Sequence, residues 1–455
     1  MRPVILIATL LFAYSANAQP KTEAAQPKPQ QSYSFSLQQA ISHALEHNYS
    51  AINATRDIEA AKQKKWETTA AGLPQIAANI DYTDNLAVPL SVIPAQFLDP
   101  SAPAGTFAAV AFSPKHSVNA RATLNQLLFD GSYIVALQAS KTYLKYYENM
   151  KRKTTTDVKE MVISAYGNVL LAEESISILE KNKATLSKTF SDTRETFRNG
   201  LIEEENVEQL QITLSSLESN LSNTKRTRDI AYKMLKIAVG IDINDTLTLT
   251  DKLDQLTVNN LDMAFSQDEF NMANNVNYQI AENFKEQRRL EYKLQKSKAL
   301  PSLSANLNFG YNAFDEDFNF YRKDQKYYNF SSFGVNLNIP IFSSFARSSR
   351  TQQAKIAFEQ AKTQLTESEQ KLRLQYESAK SEYEFSIEEF NTAKSNLNLA
   401  ERIEKKQQIK FTEGLSSSFD FSEAQRQLYT AQQNYLQSMV NIINKKASLE
   451  TVINK

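Results

Sequence analysis

The sequence predicts a mainly α-helical protein with a membrane β-barrel, built from a duplicated unit of one strand pair and one long coiled-coil helical hairpin. Three observations lead to this prediction: a Phe-x-x-Gly-Leu segment that recurs, apolar heptads on both sides of each copy, and four segments of alternating polarity. The 455 residues include only 9 Gly and 12 Pro, so long stretches contain no helix-breaking residue.

The N-terminus has the features of an exported protein. Residues 1–18 combine a basic Arg2, an apolar run and a final Ala-Asn-Ala, the layout of a signal peptide cleaved before Gln19. An N-terminal anchor is the alternative, but the apolar run is shorter than the ~20 residues of a spanning helix. Residues 19–34 are rich in Pro and Gln and predict a flexible tether. We therefore expect a folded region that starts near Phe35.

Composition excludes several classes of function. The 51 basic and 51 acidic residues give a net charge of zero, without the basic block of a nucleic-acid-binding protein. The chain has no cysteine, so it has no disulfide framework and no N-terminal lipid attachment site. Nucleophile elbows and glycine-rich phosphate loops are absent from the sequence. We therefore expect neither an enzyme nor a bound cofactor.

Two similar segments mark an internal duplication. "TFRNGLIEEENVEQLQ" starts at Thr196 and "KFTEGLSSSFDFSEAQ" starts at Lys410, so Gly414 − Gly200 gives an offset of 214 residues. The apolar heptads that flank the two segments superimpose under the same offset. Glycine permits the left-handed backbone that commonly ends a helix. Each segment is therefore predicted to be the tip of a helical hairpin.

The helices of these hairpins are predicted to be long. The pattern gives helices over residues 133–199 and 345–413, each ~100 Å, followed by helices of ~60 Å over residues 201–239 and 415–453. Apolar residues recur every seven positions in two series offset by four, with Lys183 as an interruption. Such a pattern is typical of a coiled-coil seam.

Four segments alternate strictly between apolar and polar residues. They cover approximately residues 73–86, 116–128, 300–312 and 330–341. A soluble β-sandwich alternates in the same way, but ~9–12 residues can also cross a membrane at a tilt, and an apolar face opposite a polar face is typical of a barrel wall between lipid and water. The predicted lumen-facing residues are Asn79, Asp81, Asn119, Arg121, Asn306, Asn308, Asn336 and Asn338.

The connections within the strand pairs predict the orientation of the barrel. The long segments at residues 87–115 and 315–326 are predicted to be loops on the extracellular side, because barrels of this kind have their longer loops outside. Four strands are too few to close a conducting barrel, since even eight leave an interior that side chains fill. Several copies of the chain must therefore contribute.

The order of these elements resembles that of the TolC-like outer membrane efflux proteins. The resemblance covers about Phe35 to Lys455 and depends on "LPQIAANIDY" beside "LPSLSANLNF", "LNQLLFDGS" beside "LNIPIFSSF", and the two tips. The corresponding division of the chain is a first repeat at 35–240, a linker or equatorial segment at 241–262 and a second repeat at 263–455.

The resemblance implies a homotrimer, in which twelve strands form one outer-membrane barrel and twelve helices form a periplasmic tunnel. It also implies that the periplasmic adaptor protein of an inner-membrane transporter docks on the helical tips. Substrates would pass passively through this channel to the exterior, without being chemically changed. Two other classes stay open: a periplasmic coiled-coil scaffold without transport activity, and a secreted degradative enzyme, for which the sequence offers no site.

The resemblance also points to the residues of the tips. The family pattern is Gly-Leu, followed six residues after the Gly by Asp and then an apolar residue. The second tip matches it, and the first tip has Asn in place of Asp. The expected adaptor-binding residues are Gly200, Leu201, Asn206, Val207, Gly414, Leu415, Asp420 and Phe421. The chain also departs from the family at Asn48-Tyr49 and Asn277-Tyr278, where Asn-Pro is frequent.

The first tip is followed by an acidic run, Glu203, Glu204 and Glu205. One interpretation is a negatively charged first turn, stabilised by the helix dipole. The other is an acidic periplasmic ring, tripled by symmetry, that selects cations or contacts basic adaptor residues. Three adjacent residues cannot all face one lumen, which favours the first interpretation.

One histidine pair deserves comparison with metal sites. His43 and His47 are four residues apart on one face of a predicted helix, a spacing that can hold a metal ion. The sequence offers no third ligand beside them, because the remaining histidine, His116, lies on a predicted strand. We expect a packed or solvated pair and no metal site.

Overall fold

The computed structural model describes residues 31–261 and 270–454. The predicted signal peptide at 1–18, and the tether up to residue 30, lie outside the described residues. The elements, in chain order, are β1 (Ser32–Phe35), α1 (Leu37–His47), α2 (Tyr49–Ala70), β2 (Gln75–Asp84), β3 (Leu90–Pro94), β4 (Phe107–Ala111), β5 (His116–Asp130), α3 (Gly131–Arg198), α4 (Glu204–Val239), β6 (Thr246–Leu249), α5 (Leu253–Asn260), α6 (Val276–Ser297), β7 (Ser302–Asp315), β8 (Tyr328–Asn338), α7 (Ala346–Thr412) and α8 (Ser418–Ile453).

The predicted fold class is confirmed, since two long helical hairpins accompany an antiparallel sheet. Helices α3 and α7 contain 68 and 67 residues, or ~100 Å each, while α4 and α8 contain 36 residues each. Helix α3 begins directly after a strand because the Asp130 carboxylate accepts the backbone N–H groups of Ser132 and Tyr133, at 2.6 and 3.2 Å. Burial of leucine and alanine along the seams holds each hairpin together.

The principal sheet has the strand order β2-β5-β7-β8, and all neighbours are antiparallel. The strand pair of the first repeat therefore lies beside the strand pair of the second. Strands β2 and β8 form the two edges, and neither edge has a partner within the described residues. Unpaired edges of this kind are templates for further strands.

A collar of short elements surrounds the long helices. Strand β1 pairs in parallel with β6, and the backbone N–H of Gln31 donates to the Asp245 carboxylate at 2.9 Å. The collar, residues 31–47 and 241–261, packs against α3, where the Tyr166 hydroxyl lies 3.0 Å from both the Phe35 carbonyl and the Asp251 carboxylate. Order thus begins before Phe35, because main-chain pairing with β6 fixes residues that composition alone assigned to the tether.

A second difference from the predicted strands lies in the loop at 87–115, which contains the two-stranded hairpin β3–β4. Its alternating apolar residues include Leu90 and Val92 on β3, opposite Ala111 and Ala109 on β4. The segment was expected to be a loop, because its five prolines interrupt this short alternation. The hairpin is a separate sheet and leaves the four-stranded order unchanged.

Two asparagines tie the repeats together in the same way. Asn48 and Asn275 cap α2 and α6, and their amide groups donate to the carbonyls of Ala238 and Val452, at 2.8 and 2.7 Å. Those acceptors lie at the ends of α4 and α8, 214 residues apart. The structural equivalent of Asn48 is therefore Asn275, and not Asn277 as the Asn-Tyr pairs in the sequence suggested.

One helix of the described chain contains an 18-residue window that is long and apolar enough to cross a membrane, and this helix is α3. Half of that window is buried inside the protein. Its apolar residues belong to the core between α3 and the collar, including Val162, Tyr166 and Val169. The composition of α3 is therefore that of a core helix.

Candidate functional site

The helical tips have the geometry that their glycines predict. Gly200 and Gly414 adopt φ angles of 75° and 71°, in the left-handed region. The Leu201 N–H then bonds back to the Thr196 carbonyl at 3.2 Å, and the Leu415 N–H to the Lys410 carbonyl at 2.7 Å. This pattern satisfies carbonyls that the end of a helix leaves free. The chain therefore reverses direction through the same type of turn in both hairpins.

Each turn presents an apolar side chain to solvent. Leu201 is 74% exposed and Leu415 is 78% exposed. The structure adds Phe419, which is 65% exposed at the start of α8 and was not among the predicted tip residues. A signal for it exists in the sequence, because Phe419 lies two residues before the heptad position of Phe421 and so off the seam. The tips thus combine two leucines and one phenylalanine on the surface.

Two of the predicted tip residues lie behind this surface. Phe421 is completely buried and its ring stacks on Phe411, with the centroids 5.3 Å apart. Val207 is half-buried on the first turn of α4. Phe421 packs with the leucines of the α3–α4 seam, such as Leu210 and Leu214. It therefore holds the second tip against the first hairpin and offers no surface to a partner.

Asn206 connects the two tips directly. Its side-chain oxygen accepts the backbone N–H of Ser418, at 3.2 Å, at the first residue of α8. The equivalent Asp420 acts within its own turn, where hydrogen bonds with Ser417 lower the pKa of the carboxyl group. An Asn at the first tip is consistent with this geometry, because an amide oxygen can accept a free N–H group at a helix N-terminus without a charge.

A groove runs along the junction between the two tips. Its volume is about 1200 Å³, and its walls come from the last turns of α3 and α7 and from both turns. Its lining includes Lys188 and Asp192 of α3, and Glu413 and Asp420 of the second hairpin. We call this feature the tip groove. Its mixed charge and the exposed leucine at its mouth, Leu415, suit a helical partner.

The acidic run lies at the start of α4. Glu203 is the N-cap residue, Glu204 and Glu205 occupy the first turn, and all three side chains are exposed. Negative charge at this end of a helix is stabilised by the helix dipole. The position agrees with the first of the two interpretations, and the acidic ring stays a prediction.

A glutamate lies in the α7–α8 seam near the second tip. Glu404 is half-buried, and its side chain faces Gln425, which is 2% exposed and whose side-chain oxygen has no hydrogen-bond partner in the described chain. Burial raises the pKa of Glu404, while the contact with Gln425 opposes that shift. Burial and the charge of Glu404 also raise the pKa of Tyr429 on the next turn of α8.

This environment predicts a pH-dependent contribution to stability. Because the folded-state pKa of Glu404 is raised, its stabilisation is complete below the unfolded pKa of ~4.3 and is lost as the pH rises through the folded pKa. Glu404→Gln should therefore increase the free energy of unfolding at pH 7, by an amount that solvent screening reduces, and change it little at pH 4. Thermal unfolding at both pH values measures this, with exposed Glu401→Gln as the matched control. Equal effects of both variants at pH 7 would contradict it.

The strands place the predicted lumen-facing residues on one face of the sheet. Directly opposite residues share a face, and Asn79 lies opposite Arg121, while Asp81 lies opposite Asn119. In the second repeat, the same face contains Asn306, Asn308, Asn336 and Asn338 by register.

Hydrogen bonds between side chains link this polar face across the strands. Thr123 donates to Asn308 at 2.8 Å, and Asn308 donates to Ser332 at 3.3 Å. Gly334 leaves room for the side chain of Asn306, because a Cβ at that glycine would lie 2.8 Å from the Asn306 Oδ1. The polar face is thus a connected layer.

The opposite face is apolar and open. Ile76, Ile80 and Phe333 are 75%, 72% and 71% exposed, and Leu307, Val335 and Leu337 share this exposed face. A soluble protein buries such a face, whereas a barrel turns it toward lipid. The sheet therefore has the two-faced chemistry of a membrane barrel wall.

The histidine pair forms a packed stack. The rings of His43 and His47 lie 4.0 Å apart, and His43 Nδ1 lies 3.2 Å from the Val239 carbonyl. Burial lowers the pKa of His43. Within residues 31–261 and 270–454, no group of three potential metal-ligating side chains is found. The pair therefore joins the collar to the end of α4.

Comparison with known proteins gives a consistent result. Residues 272–455 match the family described as outer membrane efflux proteins. The outer membrane protein TolC of Vibrio cholerae is 23% identical over 339 residues, which cover 71% of this chain and 74% of that protein.

Solved structures of outer-membrane channels share the fold. VceC of Vibrio cholerae matches with a TM-score of 0.69 and 15% identity, over 92% of this chain and 95% of that chain. The open state of MtrE from Neisseria gonorrhoeae matches with a TM-score of 0.69 and 17% identity, over 96% of each chain. CusC matches with a TM-score of 0.72 and 15% identity, over 95% of this chain and 98% of that chain.

The fold of this chain is therefore that of these solved outer-membrane proteins over 92–96% of its length, and its two-faced sheet is consistent with a barrel wall. Residues 272–455 thus match the family that the sequence as a whole resembles.

Proposed function

We propose that this protein is the outer-membrane channel of a tripartite efflux or secretion system. It conducts substrates passively from an inner-membrane transporter and its periplasmic adaptor to the exterior, and it does so as a homotrimer. The observation that supports this most directly is that the four-stranded sheet of the described chain has two unpaired edges. In the proposed channel this sheet and the helices that continue it form an arc of the wall. An arc with a lipid-compatible face outside and a polar face inside becomes a pore only when copies close it.

The order of the helices agrees with the order of the strands, so the sheet and the helices define the same two ends of this arc. The helices near the sheet pack in the order α2-α3-α6-α7, and the helices near the tips pack in the order α4-α3-α8-α7. One end of the arc thus consists of β2, α2 and α4, and the other of β8 and α7. Joining unlike ends around an axis generates a ring. Three copies give the twelve strands and twelve tunnel helices that the family resemblance implies.

The helices at these ends expose apolar side chains that an isolated chain leaves in water. On α4 they include Ile212 and Ile237, and on α7 they include Ile356, Leu374, Phe385, Leu399 and Ile403. Burying one such side chain contributes ~1.5–3 kcal/mol. Contact between α4 of one copy and α7 of the next therefore supports the trimer.

The tips provide the surface for the adaptor. Leu201, Leu415 and Phe419 are exposed at the end of the hairpins that is ~100 Å from the sheet. The tip groove lies beside them with charges of both signs. We infer that the adaptor contributes a helical segment, since an amphipathic helix in a groove can bury the leucines and pair with the rim charges.

Deletion of the gene in its own host tests the transport function. Cells without the channel should accumulate a fluorescent export substrate, and a plasmid copy of the wild-type gene should restore low accumulation. A periplasmic scaffold without transport activity predicts unchanged accumulation. That result, with the protein present in the outer-membrane fraction of wild-type cells, would contradict the proposed function.

The orientation of the barrel gives a further prediction. The chain lacks cysteine, so Ala104→Cys and Asp324→Cys each introduce one thiol, on exposed residues of the β3–β4 and β7–β8 connections. Both should react with a membrane-impermeant maleimide on intact cells, because the longer loops of such barrels are extracellular. Thr412→Cys, exposed near the second tip, is the periplasmic control and should react only after lysis. The reverse pattern would invert the assignment.

A further inference from the structure

A cavity of about 420 Å³ lies where three helices meet, on the tip side of the collar. Its walls are residues 168–179 of α3, residues 220–234 of α4 and residues 429–436 of α8. We call it the three-helix niche. It is separate from the tip groove, which lies at the far ends of α3 and α7.

The niche faces away from the collar. Tyr166 points from α3 toward Phe35 and Asp251 of the collar. Ser175 of the niche lies nine residues further along α3, and at about 100° per residue this is the opposite face. Helices α4 and α8 both contact α3, and in the proposed channel we assign the face opposite the collar to the tunnel interior.

The floor of the niche is apolar and its rim is polar. Ala172, Leu179, Ala231 and Leu436 are buried at the floor. Exposed amide groups from all three helices surround them: Asn168, Asn220, Asn223 and Gln433. Their side chains make no hydrogen bond within the described chain, and neither does the hydroxyl group of Tyr429 at the floor. Donors and acceptors are thus available to a bound molecule.

Charge is absent from this lining. None of the described residues that form the niche is Asp, Glu, Lys or Arg. A charged molecule would lose hydration there without an opposite charge to compensate, whereas an uncharged one loses little. The volume lies within the ~300–1,000 Å³ of pockets for drug-sized molecules.

We propose that the three-helix niche binds uncharged amphipathic small molecules, with a ring or alkyl body on the floor and amide, ester or hydroxyl groups at the rim. This proposal rests on the channel function proposed above, because it assigns the niche to the tunnel interior. The niche is then a binding site that uncharged substrates occupy as they pass through an otherwise polar tunnel.

Two fluorescent probes of matched shape test the proposal. Dansylamide is uncharged at neutral pH, and dansylglycine carries a carboxylate. Each is titrated against the full-length protein in lipid nanodiscs, with empty nanodiscs subtracted. We expect saturable binding of dansylamide, and binding of dansylglycine weaker by about tenfold or more.

Substitutions on α3 locate the site. Ser175→Trp fills the niche and should weaken dansylamide binding by about tenfold. Ser177→Trp adds the same side chain to the collar side of α3 and should leave binding unchanged. Asn223→Leu, which keeps the size of a rim residue and removes its amide, should weaken binding severalfold. Protein recovery and oligomeric state of each variant establish that it folds.

Three results would overturn the proposal: no saturable binding of dansylamide, equal binding of the two probes, or equal loss in Ser175→Trp and Ser177→Trp. Occupation of the niche by α7 of a neighbouring copy would appear as the first of these. The channel function is measured separately by export in cells. Normal export with no dansylamide binding rejects the niche alone, whereas loss of the trimer rejects the channel.

Discussion

Replacing Leu201 and Leu415 together by Glu should abolish export while leaving the assembled protein and its barrel intact. Both side chains are more than 70% exposed, so the substitution removes no core packing. Burial of a leucine contributes ~1.5–3 kcal/mol, and three copies present six of them to the adaptor. The charge added at each position also opposes burial in an apolar contact. Export is measured by substrate accumulation, and assembly by trimer yield from the same cells.

Leu86→Glu is the matched control for this double variant. Leu86 is 93% exposed at the end of β2, on the side of the barrel away from the tips, so the same change there should leave export normal. Normal export by the double tip variant, with a normal trimer yield, would show that the tips are turns without a docking role. Loss of the trimer would mean that the leucines serve assembly instead.

Phe421→Ala should have the largest effect on stability. The side chain is fully buried, stacks on Phe411 and packs among the leucines of the first hairpin. Truncation of a buried phenylalanine costs ~3–5 kcal/mol, because the apolar contact is lost and a cavity remains. The thermal unfolding temperature and export should both decrease, since the tips lose their common core.

Phe419→Ala provides the comparison for Phe421→Ala. Phe419 is 65% exposed, so its truncation should leave thermal unfolding almost unchanged and reduce export through the docking surface alone. The two phenylalanines, two residues apart, thereby separate a packing role from a docking role. Equal loss of stability in both variants would contradict the burial that the structure assigns to them.

The helical hairpins follow from local chemistry, and for that reason the sequence predicts them well. Heptads of leucine and alanine define the seams, and a glycine that must adopt a positive φ defines each turn, as Gly200 and Gly414 do. The four long strands are equally predictable, since strict alternation indicates which side chains share a face. Their order, β2-β5-β7-β8, depends on contacts between the two repeats that no local pattern encodes.

Other features depend on partners distant in sequence. Strand β1 forms because β6 lies beside it, more than 200 residues later. The Asn206 side chain accepts a hydrogen bond from the N-terminus of α8. The presence of Asn in place of Asp at this position is therefore explained only by the contact between the two tips. The hydrogen bond from Asn275 to the Val452 carbonyl identifies Asn275 as the structural equivalent of Asn48, whereas the Asn-Tyr pattern in the sequence suggests Asn277. Phe421 belongs both to the tip motif and to the apolar heptad, and the motif alone does not show that its side chain is buried.

The mass of the detergent-extracted particle tests the central claim most directly. If copies of the arc close into an outer-membrane channel, the protein should stay in the membrane fraction until detergent is added. Light scattering should then give a protein mass of about three times that of one chain. The mass of one chain, with the signal peptide included, is 51.5 kDa. A water-soluble monomer would contradict the channel, because a single four-stranded sheet cannot enclose a lumen.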